Sequence, residues 1–516
     1  MKLFNKTTFI LGVVASSLFV SCQEDIVDTS PYNQVGEEDA FASPSLIQLA
    51  VNGVYNAAQM GVYNGTPSAP VSRGYVWGAA YTEQNEARGE DVVNTQAFYQ
   101  ITYESTYDPT TANNVYYWVD GYRLINRTNL VIDGVTKSVA SGLISSDIGN
   151  PYIGECLFFR AITHFEFLKQ FARPYHLDNG ASLGVPYRDI PYNSIENIAV
   201  GEAQTRNTVA ECYAKAIADL DRAETLLPLK TARVGEDQIS KVTKGAAIAF
   251  KIKMYMSMRN WTKVLEEYAK ISGQYSLTTA YNGVFTSNLN NTESIFSIKN
   301  SKDTNPGVNG ALPSQFNGRS LLAISPILWR NPLWLADDKR RGETAVVSGA
   351  RYTRKYKDIV DFTDAAPIIR FADVMLLAAE ANARLGNTTT ALELLNNVRN
   401  RSIATPATQA YTASTFSTTQ ALVQAILVER RIELSCEGQR WGDIHRLIND
   451  DLAPTAGIPG KVPNGSPAAA AYTLGTPYDG TLTAAIPYTD KRMLWPIPLL
   501  ETNSNPTLAA QQNPGY

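Results

Sequence analysis

Seven side chains suited to ligand capture stand in two long segments that show no sustained helical periodicity. Aromatic rings can stack on the apolar C–H faces of sugars or line a peptide groove, and an arginine can bind hydroxyl or backbone groups. Segments of this length inside a folded protein are usually functional. We therefore expect exposed ligand-binding side chains here, and predict them to be Tyr75, Trp77, Tyr81, Arg88, Phe316, Trp329 and Trp334.

A run of carboxylates in the last third of the chain is the clearest candidate for catalysis. Glu429, Glu433 and Glu437 lie four residues apart with arginines interleaved, on one face of a predicted helix. Because Glu meets Arg at i+3 or i+4, this spacing favours a structural ion-pair network over a catalytic acid. The nucleophile-elbow, zinc-protease, Walker and dinucleotide motifs are missing, and the three histidines lack metal-ligand spacing.

We therefore predict no catalytic residue, no metal and no cofactor. The absence of these motifs does not exclude a glycoside hydrolase, because the two carboxylates that such an enzyme needs are brought together only by tertiary structure.

A helical scaffold has to position these segments. Apolar residues recur at helical spacing, and Thr208 with Glu211 has the spacing of a capping box. Two segments have the length and small residues of tetratricopeptide-like helix pairs, which must stack to bury their apolar faces. The predicted helices are 46–60, 115–131, 154–171, 208–227, 244–258 paired with 261–271, and 371–385 paired with 389–401. Irregular stretches over 61–114, 275–364 and 449–491 separate them.

The N-terminus has the features of an export signal. Lys2 and Lys6 precede an apolar run, Phe9–Val20, which is shorter than the roughly 20 residues of a spanning helix. Cys22, preceded by a small residue, resembles the lipobox of bacterial lipoproteins, in which the cysteine is lipidated. We expect a signal peptide over 1–21, a polar tether over 22–44 and a single body over 45–516, with halves of about 45–240 and 241–516.

Composition narrows the function classes further. The net charge is −4, with charges of both signs spread along the chain and no basic run, which argues against nucleic-acid binding. Tyrosine is abundant, at 27 residues. Its ring offers an apolar surface while its hydroxyl stays hydrated, which suits contact with amphipathic ligands. Besides Cys22 the cysteines are Cys156, Cys212 and Cys436, in apolar helical patterns that favour buried thiols, although one disulfide pair stays possible.

Phrases spread over nearly the whole mature chain resemble the SusD/RagB family of cell-surface nutrient-binding lipoproteins. The strongest lie in the last third: Glu429–Asp443 running on to Arg446, Trp495–Glu501, and Gln512–Tyr516. Earlier phrases resemble two helices with their loop, the start of a repeat helix, and the family's most recognisable internal segment. They are Tyr122–Asn129, Phe159–Leu168 with Gly184–Tyr187, Lys244–Ala247, and Pro367–Ala381.

The resemblance implies a mostly α-helical, SusD-like fold, with tetratricopeptide-like helix pairs as scaffold and long loop-rich insertions. It also implies a lipid anchor at Cys22, exposure at the outer-membrane surface, and a partner: a TonB-dependent barrel transporter of the SusC type, over which the protein acts as a lid. We therefore expect a glycan-binding protein that captures oligosaccharide and is not an enzyme. A peptide-binding member, a surface glycoside hydrolase and a purely structural surface protein are the alternatives. Ligand contacts differ between members, so the seven predicted site residues rest on aromatic placement alone.

Overall fold

The fold is described from a computed structural model, which describes residues 39–62 and 71–516. The predicted signal peptide, Cys22 and most of the predicted tether lie outside these residues. Residues 51–516 form one unit, and the side-chain contacts given below lie within it. In the described ranges, every helix is too short or too polar to cross a membrane.

The fold is mostly α-helical, which confirms the predicted fold class. The longer helices are α1 (Pro44–Met60), α2 (Ala80–Ala87), α4 (Ala112–Ala140), α5 (Ser146–Phe171), α6 (Ile195–Glu202), α7 (Val209–Leu226), α9 (Lys244–Ser257), α10 (Trp261–Ile271), α13 (Phe371–Arg384), α14 (Thr388–Asn400) and α16 (Thr419–Glu433). The shorter helices are α3 (Gln100–Glu104), α8 (Asp237–Ser240), α11 (Gly283–Thr286), α12 (Pro326–Trp329), α15 (Pro406–Gln409), α17 (Arg440–Arg446), α18 (Leu499–Ser504) and α19 (Pro506–Ala509).

Short strands join distant parts of the chain in antiparallel pairs. β1 (Val92–Asn94) pairs with β3 (Leu322–Ile324), β2 (Ser294–Ile298) with β6 (Ala366–Arg370), β4 (Thr344–Val347) with β5 (Ala350–Thr353), and β7 (Gly457–Ile458) with β8 (Ile486–Pro487). The eight strands found in the described residues all lie in or beside the three stretches that the sequence marks as irregular.

Helix α5 is the centre of the core. Every residue from Ile153 to Phe171 is buried, and the helix packs against α4 and α7. A helix that is apolar all round is expected in such a position, and α5 keeps its few charged groups paired: the guanidinium of Arg160 donates to both carboxylate oxygens of Asp219, at 2.7 Å from Nε and 2.6 Å from Nη2. Both α4 and α5 extend beyond their predicted bounds, and the added turns meet where Val135 and Val139 of α4 face Gly149 of α5.

The two predicted helix hairpins are confirmed, as α9 with α10 and α13 with α14. In the first, the side chain of Asn260 caps α10 by accepting the backbone N–H of Lys263 at 3.2 Å. In the second, Gly386 follows α13 with φ of 83°, a left-handed conformation that favours glycine at a helix end. Helices α10 and α14 both pack on α13, so the hairpins stack as the repeat interpretation requires.

The first predicted irregular stretch contains a fully buried helix, α2. All eight of its residues are buried, although four of them are Glu or amide side chains. The carboxylate of Glu86 accepts the backbone N–H of Gly438 at 2.8 Å. Burial, together with the charge of Asp91, raises the pKa of Glu86 to about 8. The sequence did not predict this helix, because its largely polar residues show no apolar residues at helical spacing.

The predicted ion-pair network of Glu429, Glu433 and Glu437 is confirmed and is buried, but the expected i+3 and i+4 partners are wrong: Arg340 and Arg370 come from segments 63 to 93 positions away. Glu433 accepts Arg340 Nη1 at 2.9 Å and Arg370 Nη1 at 2.7 Å. Glu437 accepts Arg370 Nε at 2.7 Å, and Glu429 accepts Arg340 Nη1 at 2.6 Å. Burial raises the pKa of Glu433, but the surrounding guanidinium groups outweigh this and hold it well below its usual value. Glu433 is therefore ionised, and all three carboxylates are paired with guanidinium groups inside the fold.

The substitution Glu86→Gln should change how stability depends on pH. Between pH 4.5 and about 8 the unfolded state releases a proton that the folded Glu86 retains, so the free energy of unfolding falls as pH rises through this window. The variant has no titrating group at this position, so its free energy of unfolding does not fall in this window for that reason. Near pH 9 it should exceed the wild-type protein in stability by on the order of 3 kcal/mol, and near pH 5 the two should be similar.

Urea unfolding from pH 5 to pH 9 measures this difference. Glu393→Gln, at an exposed position on α14, is the matched control and should follow the wild-type profile. Parallel pH profiles for Glu86→Gln and the wild type would show that Glu86 is ionised in the folded protein.

Candidate ligand-binding site

The structure places all seven predicted site residues in the interior, so the expectation that they are exposed is wrong. Their exposed fractions are at most 3%. Stacking on a sugar requires an open ring face, and these faces are covered by protein. The residues are Tyr75, Trp77, Tyr81, Arg88, Phe316, Trp329 and Trp334.

In the first segment, distant helices cover the side chains. Trp77 Nε1 donates to Thr163 Oγ1 at 3.0 Å. The guanidinium carbon of Arg88 lies 3.5 Å from the ring centroid of Trp441, in a buried cation–π contact. The hydroxyls of Tyr75 and Tyr81 donate to Asn113 Oδ1 at 2.8 Å and Gln439 Oε1 at 3.3 Å.

In the second segment, the rings pack on one another. Trp329 and Trp334 meet edge to face, with ring centroids 5.3 Å apart. Trp329 Nε1 donates to the carbonyl of Tyr472 at 3.1 Å. The ring of Phe316 lies 5.7 Å from that of Tyr356. These aromatics stabilise the irregular segments from within.

The two segments nevertheless meet, and a half-buried phenylalanine lies beside their paired strands. Strands β1 and β3 pair, with Val93 opposite Ala323. Phe98, which follows β1, is half-buried. The guanidinium carbons of Arg73 and Arg319 each lie 4.9 Å from its ring centroid. We call these three side chains the Phe98 patch.

A cavity of about 400 Å³ opens between α1, α8 and the segment after β2. Its volume falls in the range of ligand pockets, and most of the residues that line it carry an amide or a hydroxyl group. We call it the amide cleft. It is lined by Asn52, Tyr55, Asn56, Gln59, Asp237, Ser240, Lys241, Ile298, Lys299, Ser301 and Thr304.

Helix α1 supplies one wall because its polar residues recur every three or four positions. Asn52, Asn56 and Gln59 therefore lie on successive turns of one face. Gln59 Nε2 donates to the carbonyls of Lys299 at 2.8 Å and Thr304 at 2.9 Å. These bonds fix the opposite wall to the helix. Asn56 is exposed, and its amide makes no hydrogen bond with the described residues.

Charges in and beside the amide cleft are balanced. Lys241 Nζ donates to Asn52 Oδ1 at 2.9 Å and lies 4.0 Å from the ring centroid of Tyr55. Burial lowers the pKa of Lys241. Lys299 Nζ pairs with Glu236 at 2.6 Å. With each ammonium held by a protein partner, the wall suits an uncharged ligand rich in hydroxyls.

Backbone contacts connect the chain segments that form the amide cleft and the Phe98 patch. Gly74 N–H donates to the carbonyl of Met60 at the end of α1, which brings Arg73 beside this helix. Residues 299–320 line the cleft at one end and reach the patch at the other, where Arg319 Nη1 donates to Asn309 Oδ1 at 2.9 Å. We call the two together the loop face.

Sequence reasoning missed the amide cleft. The polar stripe of α1 carried a signal, since its spacing is visible in the sequence. Nothing local linked it to Asp237 or Thr304, which lie about 180 and 245 positions further along the chain.

Features of catalysis are weak in the part of the chain that the structure describes. Its His, Cys, Asp and Glu side chains form no group able to hold a metal ion. The three described cysteines, Cys156, Cys212 and Cys436, are free and buried. Among the described residues, Asp237 is the single carboxylate that lines the amide cleft.

Two family models match the chain and together span most of it. The model described as the SusD family matches residues 348–516. The model described as starch-binding associating with outer membrane matches residues 25–256. Among curated relatives, SusD-like proteins P38 and P25 of Formosa agariphila are 22% and 24% identical to this chain, over 86% and 87% of its length and 92% of theirs.

Solved structures share the fold. A SusD superfamily protein from Bacteroides fragilis superposes with a TM-score of 0.76 at 24% identity, covering 91% of this chain and 100% of that one. A SusD-like carbohydrate binding protein from Bacteroides vulgatus gives a TM-score of 0.68 at 22% identity, covering 91% and 98%. The same helical scaffold and the two family matches lead to one conclusion: the chain belongs to the SusD/RagB family.

Proposed function

We propose that this protein captures a neutral oligosaccharide on its loop face and delivers it to a TonB-dependent transporter of the SusC type. The observation that carries the proposal is the amide cleft, about 400 Å³ in volume and lined by amides, hydroxyls and one carboxylate. Such groups exchange hydrogen bonds with water for hydrogen bonds with sugar hydroxyls. The name of one matched solved structure refers to carbohydrate binding and the description of one family model to starch binding, and both support the same ligand class.

The geometry favours capture over hydrolysis. Glycoside hydrolases use two carboxylates on either side of the scissile bond. Among the described residues, Asp237 lines the cleft without a second carboxylate in the wall. Each hydrogen bond to a sugar contributes only about 0.5–1.5 kcal/mol, so the captured ligand can be released unchanged to a partner.

The Phe98 patch extends the cleft for longer chains. Its ring offers an apolar surface to a sugar, and the flanking guanidinium groups of Arg73 and Arg319 can donate to hydroxyls. A bound oligosaccharide would place one end among the amides and rest further units on Phe98.

The proposal also includes a lipid anchor that holds the protein at the outer membrane. The lipidation at Cys22 expected from the sequence would hold the protein at the outer membrane, and more than one acyl chain makes such an anchor stable. The tether over 22–44 would let the body move over the mouth of the transporter without leaving the surface.

Replacing Asn56 by leucine should weaken oligosaccharide binding about tenfold. The change removes the donor and acceptor of an exposed amide, and about 1.4 kcal/mol corresponds to a factor of ten in affinity. Calorimetric titration with a panel of neutral oligosaccharides measures it. Asn290→Leu is the control, because Asn290 is also exposed and its side chain forms no hydrogen bond with the described residues. Equal affinity of Asn56→Leu and the wild type would exclude the amide cleft as the glycan site.

Replacing Phe98 by alanine should weaken binding of a long oligosaccharide several-fold and that of a disaccharide much less. The reason is that stacking on Phe98 is available only to sugar units beyond the cleft. The control is Phe416→Ala, since Phe416 is also half-buried and packs on Tyr411 instead. A loss that is independent of chain length would assign Phe98 to folding.

Purification from native membranes should recover a barrel transporter together with this protein. An affinity tag at the C-terminus and mild detergent extraction, followed by mass spectrometry, identify the partner. The Cys22→Ala variant should leave the membrane fraction and lose the partner, because its anchor is gone. If the membrane-bound protein is repeatedly isolated alone, delivery to a transporter is wrong, while glycan binding stands on its own test.

A further inference from the structure

Two positive charges are held against the indole of Trp329. The guanidinium carbon of Arg341 lies 4.5 Å from the ring centroid of Trp329 and 4.5 Å from that of Trp334. The guanidinium carbon of Arg351 lies 4.2 Å from the ring centroid of Trp329. Both guanidinium groups therefore lie within one small volume. We call these four side chains the Trp329 cluster.

Each guanidinium reaches the cluster from its own segment. Arg341 belongs to the short 3-10 helix Lys339–Glu343, and Arg351 lies within β5. Arg341 is buried, with an exposed fraction of 9%. Arg351 is partly exposed, although Ala350 and Tyr352 on either side of it are buried. The cluster is therefore reached from solvent at Arg351.

Neither guanidinium pairs with a carboxylate in the part of the chain that the structure describes. Arg341 donates to carbonyl oxygens instead. Its Nε donates to Leu335 at 2.8 Å, and its Nη2 donates to Trp329 at 2.9 Å and to Trp334. Carbonyl oxygens are neutral, so these bonds leave the positive charge without a counter-charge. The side chain of Arg351 makes no hydrogen bond with the described residues.

The carboxylate whose charge reaches Arg341 is already occupied. Asp338 accepts from Arg340, at 3.0 Å from Nε and at 2.7 Å from Nη2. Burial lowers the pKa of Arg341 to about 10, and the positive charge of Arg351 acts in the same direction. The Trp329 cluster thus carries more positive than negative charge.

Three N–H groups of the cluster are buried and have no acceptor among the described residues. They are Nη1 of Arg341, Nε of Arg351 and Nε1 of Trp334. Buried donors in native proteins nearly always have a partner. A water molecule would accept from some of these groups but would leave both charges uncompensated. An oxyanion meets both needs, because its oxygens accept several N–H groups at once and it brings negative charge.

We propose that the Trp329 cluster is a binding site for a small oxyanion, a phosphate or carboxylate group. Its oxygens accept the unpaired N–H groups of Arg341, Arg351 and Trp334, and its charge offsets the two guanidinium groups. A neutral sugar would leave both charges uncompensated. The cluster shares no residue with the loop face, and the site is independent of the proposed glycan function.

Calorimetric titration of the full chain tests the site, with inorganic phosphate and acetate as separate probes. The buffer contains chloride at constant ionic strength, so an anion that binds has to displace a halide. Both probes should give saturable binding at low millimolar concentrations. Phosphate should bind more tightly than acetate, because it carries more charge at pH 7.5 or above. Saturable binding of one probe alone would assign the site to that group.

Variants locate the bound anion. Arg351→Met keeps an apolar stem on Trp329 and removes the charge, and it should abolish binding of both probes. Trp334→Phe keeps a ring and removes the indole N–H, and it should weaken binding several-fold. Arg222→Met is the control and should bind as the wild type does. Arg222 is exposed, and its side chain forms no ion pair with the described residues.

Thermal unfolding checks folding and tests the charge argument separately. Without phosphate, Arg351→Met should unfold at the same temperature as the wild type or higher, because it relieves the repulsion between the two guanidinium groups. Phosphate should raise the midpoint of the wild type and leave that of the variant unchanged. A lower midpoint for Arg351→Met without phosphate would show that the fold already supplies a counter-charge. That result, no saturable binding of either probe, or equal binding by Arg351→Met would overturn the proposal.

Discussion

The structure depends on charges that are removed from water and paired around helix α16. Moving a charged group into a protein costs several kcal/mol unless partners surround it, and removing one partner then costs about 3–5 kcal/mol. Arg370 on β6 meets this demand with Glu433 and Glu437, at exposed fractions of 2%, 0% and 3%. The same helix reaches the first irregular segment, where Arg431 pairs with Asp91. One helix thus fixes strand, hairpin and loop relative to each other.

This pairing explains why irregular segments can be as firmly held as the helices. The first segment contributes α2, whose eight residues are all buried. Its amides and carboxylates accept and donate inside the core, as when Asn85 Nδ2 donates to Glu166 Oε1 at 2.9 Å. Buried polar groups with partners specify a single arrangement of the chain around them. The aromatics of these segments therefore serve packing, and binding groups are found at their edges.

Two cavities of similar volume differ in the chemistry of the residues that line them. The amide cleft, with Asn56 exposed in its wall, offers hydrogen bonds in both directions and balanced charge. The second cavity, between α4, α6 and α18, holds apolar side chains such as Leu500 beside two guanidinium groups that protein carboxylates already pair. The first composition is the one that suits the hydroxyl-rich ligand we propose.

The sequence by itself determined the helical scaffold, both helix hairpins and the family, whereas the partners of Glu429, Glu433 and Glu437 are arginines from distant segments. The first three features depend on spacing within a few turns, which a linear sequence displays. Only the tertiary structure decided which side chains are exposed. Trp77 is covered by Thr163 from a helix 86 positions away, and the amide cleft joins residues separated by up to about 245 positions. Exposure is set by whichever distant segment packs on a side chain, and neighbouring residues carry no record of that segment.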